Sequence, residues 1–251
     1  MGKIDILYIV GKNSQWGNNE LRYSLRSIAK HGYNVGKVVV AGYVPRFVNR
    51  DTVVCVDIKD ETPVKHWNIL NAIIEACNRV ELTDDFLLSS DDHFYFRDTD
   101  FGNYPIFRRG VLPPLMNIED DPSKYHRTLI NTRELLRKHG YSAWRFCWHG
   151  NTHLNRTLIL SHKFYEIAQE ANTMPEGCEP TCLVLNMLYK QHKFTITDRE
   201  DKKLHSDVPE EQIYKILKDR ECLSSTNEIG GSHLHDILAR EFPHKCLYEI
   251  Q

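Results

Sequence analysis

The stretch from Asp85 to Phe96, DFLLSSDDHFYF, decides how the rest of the chain is read. Phe86, Leu87 and Leu88 form a short apolar run of the kind buried on both faces of a parallel sheet, and the run ends in Ser89, Ser90, Asp91, Asp92 and His93. The two carboxylates therefore fall at the C-terminal edge of a predicted strand, which is where ligands bind in an open α/β sheet. Neighbouring carboxylates at such an edge can hold a hard divalent cation, and the cation can grip phosphate oxygens. The plainer alternative is that Asp-Asp opens a turn, because Asp side chains hydrogen-bond to nearby backbone there.

Upstream, the sequence alternates strands and helices as an α/β fold requires. Ile4 to Val10 is apolar apart from Asp5 and Tyr8, the pattern of a central strand. It runs into the small and polar loop Gly11-Lys12-Asn13-Ser14-Gln15-Trp16-Gly17. Asn18 or Asn19 can then cap a helix that places Leu21, Leu25 and Ile28 on one face and Arg22 and Arg26 on another, closed by Gly32. Strand, polar loop and helix N-terminus make a ready anion site, although neither GxGxxG nor GKS/T is present. Lys37 to Ala41 and Val53 to Val56 read as further strands, and a helix from about Trp67 carries the apolar stripe Ile69, Ala72, Ile73, Ala76, Cys77 and Val80.

Downstream, Arg97 to Asp121 reads as an irregular loop containing Arg108 and Arg109. A helix is expected from about Ser123 to His139, followed by a segment dense in aromatic, His and Arg residues from Ala143 to Arg156. Thr157 to Leu160 is a short apolar run, Phe164 to Ala171 and Pro180 to Tyr189 read as helices, and Lys193 to Thr197 as a late strand. Two amphipathic segments, Glu210 to Arg220 and Ser232 to Phe242, flank the polar stretch SSTNEIGG.

At 251 residues, 41% hydrophobic and 26% charged, the chain suits one globular domain with a substantial core. A formal charge of −2 gives no general electrostatic footprint for nucleic acid. No apolar run approaches the roughly 18 residues of a membrane span and the N-terminus lacks a signal-peptide pattern, so a cytoplasmic protein is expected. Seven cysteines, an odd number spread along the chain, read as reduced and mostly buried thiols. Cys147, His149, His153, Cys178 and Cys182 do not have the spacing of a compact structural zinc site.

The order of these motifs resembles the Stealth family of sugar-phosphate transferases. IDILYIVGKNSQW at the N-terminus is similar to the family's first region, with Asn13 where Asp is usual. Residues 21–28, LRYSLRSI, match the opening of the second region letter for letter, and VPRFVN at 44–49 looks like VPxWLN. Ser90-Asp91-Asp92-His93-Phe94 stands where NDDxFF is expected. HGNTHLNR at 149–156 resembles the third region without its Pro; SSTNEIGG and HDILAREFP resemble the fourth, with Glu228 in place of Asp. The chain looks like a minimal bacterial or phage version.

The resemblance implies a single GT-A-like, Rossmann-like α/β domain, with a mostly parallel sheet flanked by helices. Residues 1–100 would form its nucleotide-binding half and 101–251 the acceptor-side, completing half. It implies transfer of a sugar 1-phosphate from a UDP-sugar to a glycan hydroxyl, with UMP leaving. Asp91, Asp92 and Glu228 would hold Mg²⁺ or Mn²⁺. His149 is the candidate base, since its ordinary pKa lies near working pH, and Arg156 the candidate phosphate ligand. Gly11, Asn13, Arg22 and Asn227 would contact the donor. Each has a plainer reading: a structural histidine, arginines on a surface or capping a strand, and Glu179 complementing a helix dipole. Asp-Asp serves equally a glycosyltransferase that releases UDP, whose acceptor could be a glycan or hydroxymethylated phage DNA contacted by Arg108, Arg109 and Arg145. A non-catalytic nucleotide-sugar-binding module is the remaining class.

Overall fold

A computed structural model of the chain describes residues 2–12, 14–112, 123–143, 146–147, 151–188, 196–197, 202–226 and 233–250. The first elements are β1 (Ile4–Val10), α1 (Asn19–His31), β2 (Gly32–Tyr33), β3 (Val35–Gly42), β4 (Val53–Asp57), α2 (Lys65–Arg79), β5 (Asp85–Ser89), β6 (His93–Tyr95), β7 (Thr99–Asp100) and β8 (Ile106–Gly110). They are followed by α3 (Lys124–Lys138), β9 (Phe146–Cys147), β10 (Thr152–Asn155), α4 (Arg156–Ile159), α5 (His162–Ala171), α6 (Pro180–Met187), β11 (Ile196–Thr197), β12 (Lys202–Leu204), α7 (Glu210–Leu217), β13 (Cys222–Ser225) and α8 (His233–Glu241). The architecture is the mixed α/β fold expected, with a mostly parallel sheet flanked by helices. Among the described residues no helix is long and apolar enough to cross a membrane.

The chain divides into two compact units. The first comprises Met1–Asp57, Ser89–Tyr104 and Glu200–Gln251, and the second Ile58–Leu88 and Pro105–Arg199. In the first unit β1, β3 and β4 run parallel, with Ile6 opposite Val38, Tyr8 opposite Val40 and Ala41 opposite Val56. Ile6, Leu7, Val39 and Val40 are fully buried, which is why these strands read as unbroken apolar runs.

Asp5 breaks the run because it has a local task. Its Oδ1 accepts from the Lys37 backbone N–H at 2.7 Å, and Lys37 Nζ lies 3.4 Å from Oδ2. Gly36 leaves the room: a Cβ there would lie 2.3 Å from Asp5 Oδ1 and 3.1 Å from the Ile4 carbonyl. Gly36→Ala is therefore expected to destabilise the protein by about 1–3 kcal/mol, as overpacking does. Urea unfolding at constant m-value checks it, and an unchanged midpoint would refute it.

A second sheet in this unit has the order β12-β13-β6, with β12 parallel to β13 and β13 antiparallel to β6. Phe94, Leu204 and Leu223 from its strands pack with Ile213 and Leu217 of α7, Leu234, Ile237 and Leu238 of α8, and Phe242. DFLLSSDDHFYF thus contributes two strands with the carboxylates between them, and β6, β12 and β13 all lie outside the sequence expectation. The stretch from Arg97, expected to be irregular, carries β7, a 3₁₀ turn and β8. Asp100 organises it by accepting from the Gly102 N–H at 3.0 Å and from Asn34 Nδ2 at 2.7 Å.

In the second unit β5 and β10 pair antiparallel, Leu88 facing Thr152 and Phe86 facing Leu154. Every residue of α6 is buried, which explains its apolar character all round. The short run Thr157 to Leu160 is mostly one helical turn, α4, because Asn155 Oδ1 accepts from the Leu158 N–H at 2.8 Å and caps it. No disulfide joins the described cysteines. Burial pushes the thiols of Cys77 and Cys178 up to about 12, so both remain protonated at neutral pH.

Candidate active site

The segment 21–28 of α1 is fixed on several sides at once. Leu21, Leu25 and Ile28 are buried in the core, as their spacing predicts. Ser24 is buried too, its hydroxyl 2.9 Å from that of Tyr8 on β1, and Ser27 donates to the Ser24 carbonyl at 2.7 Å. Burial pushes the Tyr8 phenol upward, against the opposing hydrogen bonds from Ser24 and Ser89. Arg26, read as part of a polar face, is instead 9% exposed. Its Nε and Nη2 donate to the two oxygens of the buried Glu249 at 2.6 and 2.9 Å, and Nη1 donates to the Phe242 carbonyl at 2.9 Å.

Asp91 and Asp92 occupy the turn between β5 and β6. Asp91 is partly exposed and Asp92 is 7% exposed. Across the second sheet Lys203 pairs in register with Ser224 and Ser224 with His93, which places Lys203 two strands from the start of β6. At about 4.8 Å per strand, that is within reach of a lysine side chain. Its Nζ donates to Asp92 Oδ2 at 2.9 Å. Asp92 Oδ1 lies 3.3 Å from His93 Nδ1, outside hydrogen-bond geometry. Burial alone would raise the Asp92 pKa, but His93 and the Lys203 ammonium outweigh it and hold the carboxyl well below the usual range. Asp92 is therefore an anion throughout the neutral range. Lys203 is absent from the sequence expectation; its only signal is a place in the charged run REDKK.

A divalent ion suits this donor set in kind. Carboxylate oxygens are the hard ligands that Mg²⁺ and Mn²⁺ prefer, and Asp92 Oδ1 is a buried acceptor without a hydrogen bond. Asn227 and Glu228, which the resemblance adds to the site, lie outside the described residues, as do Asn13 and His149. Among the described residues no group of three or more His, Cys, Asp or Glu side chains is placed to hold a metal.

The other residues named from sequence fall in different surroundings. Gly11 follows β1 in an open loop, where a Cβ would meet nothing within 4 Å. Arg22 lies on α1 with its guanidinium 4.4 Å over the Phe47 ring and Nη1 3.4 Å from Glu249 Oε1. It lines a cavity of about 580 Å³ in the first unit, together with Gly17, Asn18, Tyr43, Arg46 and Lys245. Arg156 belongs to the second unit and starts α4, where its Nε donates to the Cys77 carbonyl at 3.1 Å. Glu179 is buried at the start of α6, accepts from Thr181 Oγ1 at 3.0 Å and faces His66 Nε2 at 3.6 Å. The side chains of Arg108 and Arg109, and Arg145 altogether, lie outside the described residues.

No family model matches the chain, and no curated protein matches it in sequence. Among solved structures it is similar to an active-site mutant of LgtC, at 12% identity over 96% of this chain and 97% of that one, with a TM-score of 0.52. It is also similar to the galactosyltransferase LgtC in complex with donor and acceptor sugar analogs, at 11% identity over the same shares, with a TM-score of 0.53. These likenesses establish the class of fold: it is that of the GT-A-like glycosyltransferases.

Proposed function

We propose that the chain is a nucleotide-sugar-dependent transferase that uses Mg²⁺ or Mn²⁺ and moves a sugar 1-phosphate from a UDP-sugar to a hydroxyl of a glycan acceptor. The observation that supports a metal-dependent transferase is the acidic pair between β5 and β6, with Asp92 buried yet kept ionised by Lys203 and His93; the choice of phosphosugar over sugar rests on the resemblance to the sugar-phosphate transferases. An anionic carboxylate at this turn is the kind of ligand that a diphosphate-bound cation takes. Asp91 and Asp92 would hold the ion, with Glu228 and Asn227 completing the site. When bound, the ion supplies charge neutralisation along the diphosphate.

The acceptor oxygen would attack the phosphorus next to the sugar, and UMP would leave on the other side. His149 is assigned the acceptor's proton and Arg156 the phosphate oxygens, on the strength of the third-region resemblance. Gly11 and Asn13 would border the donor. In such a reaction positioning and electrostatics supply nearly all the catalysis.

The likeness to a galactosyltransferase favours a second reading, in which the sugar itself moves and UDP leaves. The acceptor would then be a glycan or a hydroxymethylated base in DNA. One experiment separates them: incubation with a panel of UDP-sugars, Mn²⁺ and glycan or DNA acceptors, with identification of the released nucleotide and the added mass. UMP and a gain of sugar plus phosphate support the first reading; UDP and a gain of sugar alone replace it with the second. Donor binding with no nucleotide released from any pair would leave only a binding module.

A further inference from the structure

The cavity at the start of α1 carries an inference that does not depend on metal or turnover. Its polar lining is cationic. Arg22, Arg46 and Lys245 all face it, and Lys12 lies nearby, 6.0 Å from the ring centroid of Tyr43, another lining residue. The carboxylate in the lining, Glu249, is fully committed: it takes both hydrogen bonds from Arg26, the Cys246 N–H at 3.1 Å and the ion pair with Arg22. Arg46 and Lys245 are exposed and have no ion-pair partner among the described residues. A cavity with surplus positive charge attracts an anion, and guanidinium groups suit the flat oxygen pairs of phosphate.

Two further features refine the ligand. Asn18 is 7% exposed, lines the cavity and has a buried Oδ1 without a hydrogen-bond partner, an acceptor that a turn of its side-chain amide would bring to a ligand hydroxyl. Gly17 and Asn18 both adopt left-handed backbone, at φ 64° and 60°, which presents this turn to the cavity rather than continuing α1 backwards. Arg22 is itself preorganised, lying against Phe47 and clipped by Glu249, with a buried Nε that has no acceptor. At about 580 Å³ the space suits a sugar ring with its phosphate.

We infer that this cavity binds a phosphate ester of a hydroxylated ring, with Arg46, Lys245 and Arg22 on the phosphate and Asn18 accepting from a ring hydroxyl. The same chemistry is offered by the ribose phosphate of a nucleotide and by a phosphorylated sugar. Calorimetric titration of the whole chain in EDTA, with UMP, UDP, glucose 6-phosphate and inorganic phosphate, tests it. At least one ester is expected to bind more tightly than inorganic phosphate. The Arg46→Ala/Lys245→Ala double variant should weaken it about tenfold or more, and Asn18→Gly, which keeps the left-handed turn while removing the amide, should weaken the ester without affecting inorganic phosphate.

Preference for UMP and UDP makes the cavity a nucleotide site; preference for glucose 6-phosphate makes it a site for a phosphorylated sugar. Arg46 and Lys245 are exposed, so the double variant leaves the fold intact. Asp92→Asn should leave this metal-free binding unchanged, which separates it from donor binding through a cation. The inference is overturned if no ester binds in EDTA, or if binding is indifferent to the double variant.

Discussion

Asp92→Asn is expected to lower nucleotide release by on the order of a hundredfold or more, the scale on which single preorganised electrostatic groups act in transfer reactions. The substitution keeps shape and removes charge. Asp92 is nearly buried, its Oδ2 is 2.9 Å from Lys203 Nζ and its Oδ1 is the acceptor left without a hydrogen bond. An asparagine can still accept from Lys203, but it cannot neutralise that ammonium or serve as an anionic ligand.

The variant also loses some stability, because the Lys203 ammonium keeps its place without a counter-charge. Lys203 is 29% exposed, so water offsets part of that cost. The decisive readout is therefore the rate at saturating donor for protein shown to be folded by its unfolding transition. A rate near that of the parent chain would remove Asp92 from the chemistry and leave the Lys203 pair as a structural device. A variant that binds UDP-sugar unchanged in EDTA yet no longer gains affinity from Mn²⁺ would place the loss at the cation.

Much of this was legible in the chain itself, for physical reasons that also set its limit. The first strand was readable to the residue, Ile4–Val10, because burial on both faces leaves an unbroken apolar run. The first helix was bounded by Gly32, and its core face by Leu21, Leu25 and Ile28. Both signals are local. What failed were pairings over long separations: Arg26 finds Glu249 across 223 positions, and Lys203 finds Asp92 across 111. An arginine four residues from another arginine looks like a solvated face, and nothing nearby marks a carboxylate at the far end of the chain. Strands of three or four residues, such as β6, β12 and β13, are too short to show a period, although β6 and β12 carry His93 and Lys203, the neighbours of Asp92.

The Arg26–Glu249 pair supports the other large effect. Arg26→Ala is expected to reduce stability by about 3–5 kcal/mol, because it leaves a buried carboxylate without its main partner. Glu249 is fully buried, and with Arg26 gone it keeps the Cys246 N–H at 3.1 Å and Arg22 at 3.4 Å. The Phe242 carbonyl loses its donor as well. Arg26→Lys is expected to recover only part of the loss, since an ammonium cannot reproduce two parallel hydrogen bonds and a third to a carbonyl. Arg26→Met with Glu249→Met should be markedly more stable than Arg26→Ala alone, because removing both charges removes the desolvation problem. Urea unfolding of the set yields the coupling energy directly. Arg26→Ala should also weaken phosphate-ester binding, because Glu249 then relies on Arg22 as its cation and competes with the phosphate for it. If Arg26→Ala were as stable as the parent, the buried Arg26–Glu249 pair would have no part in holding the helix to the C-terminal segment.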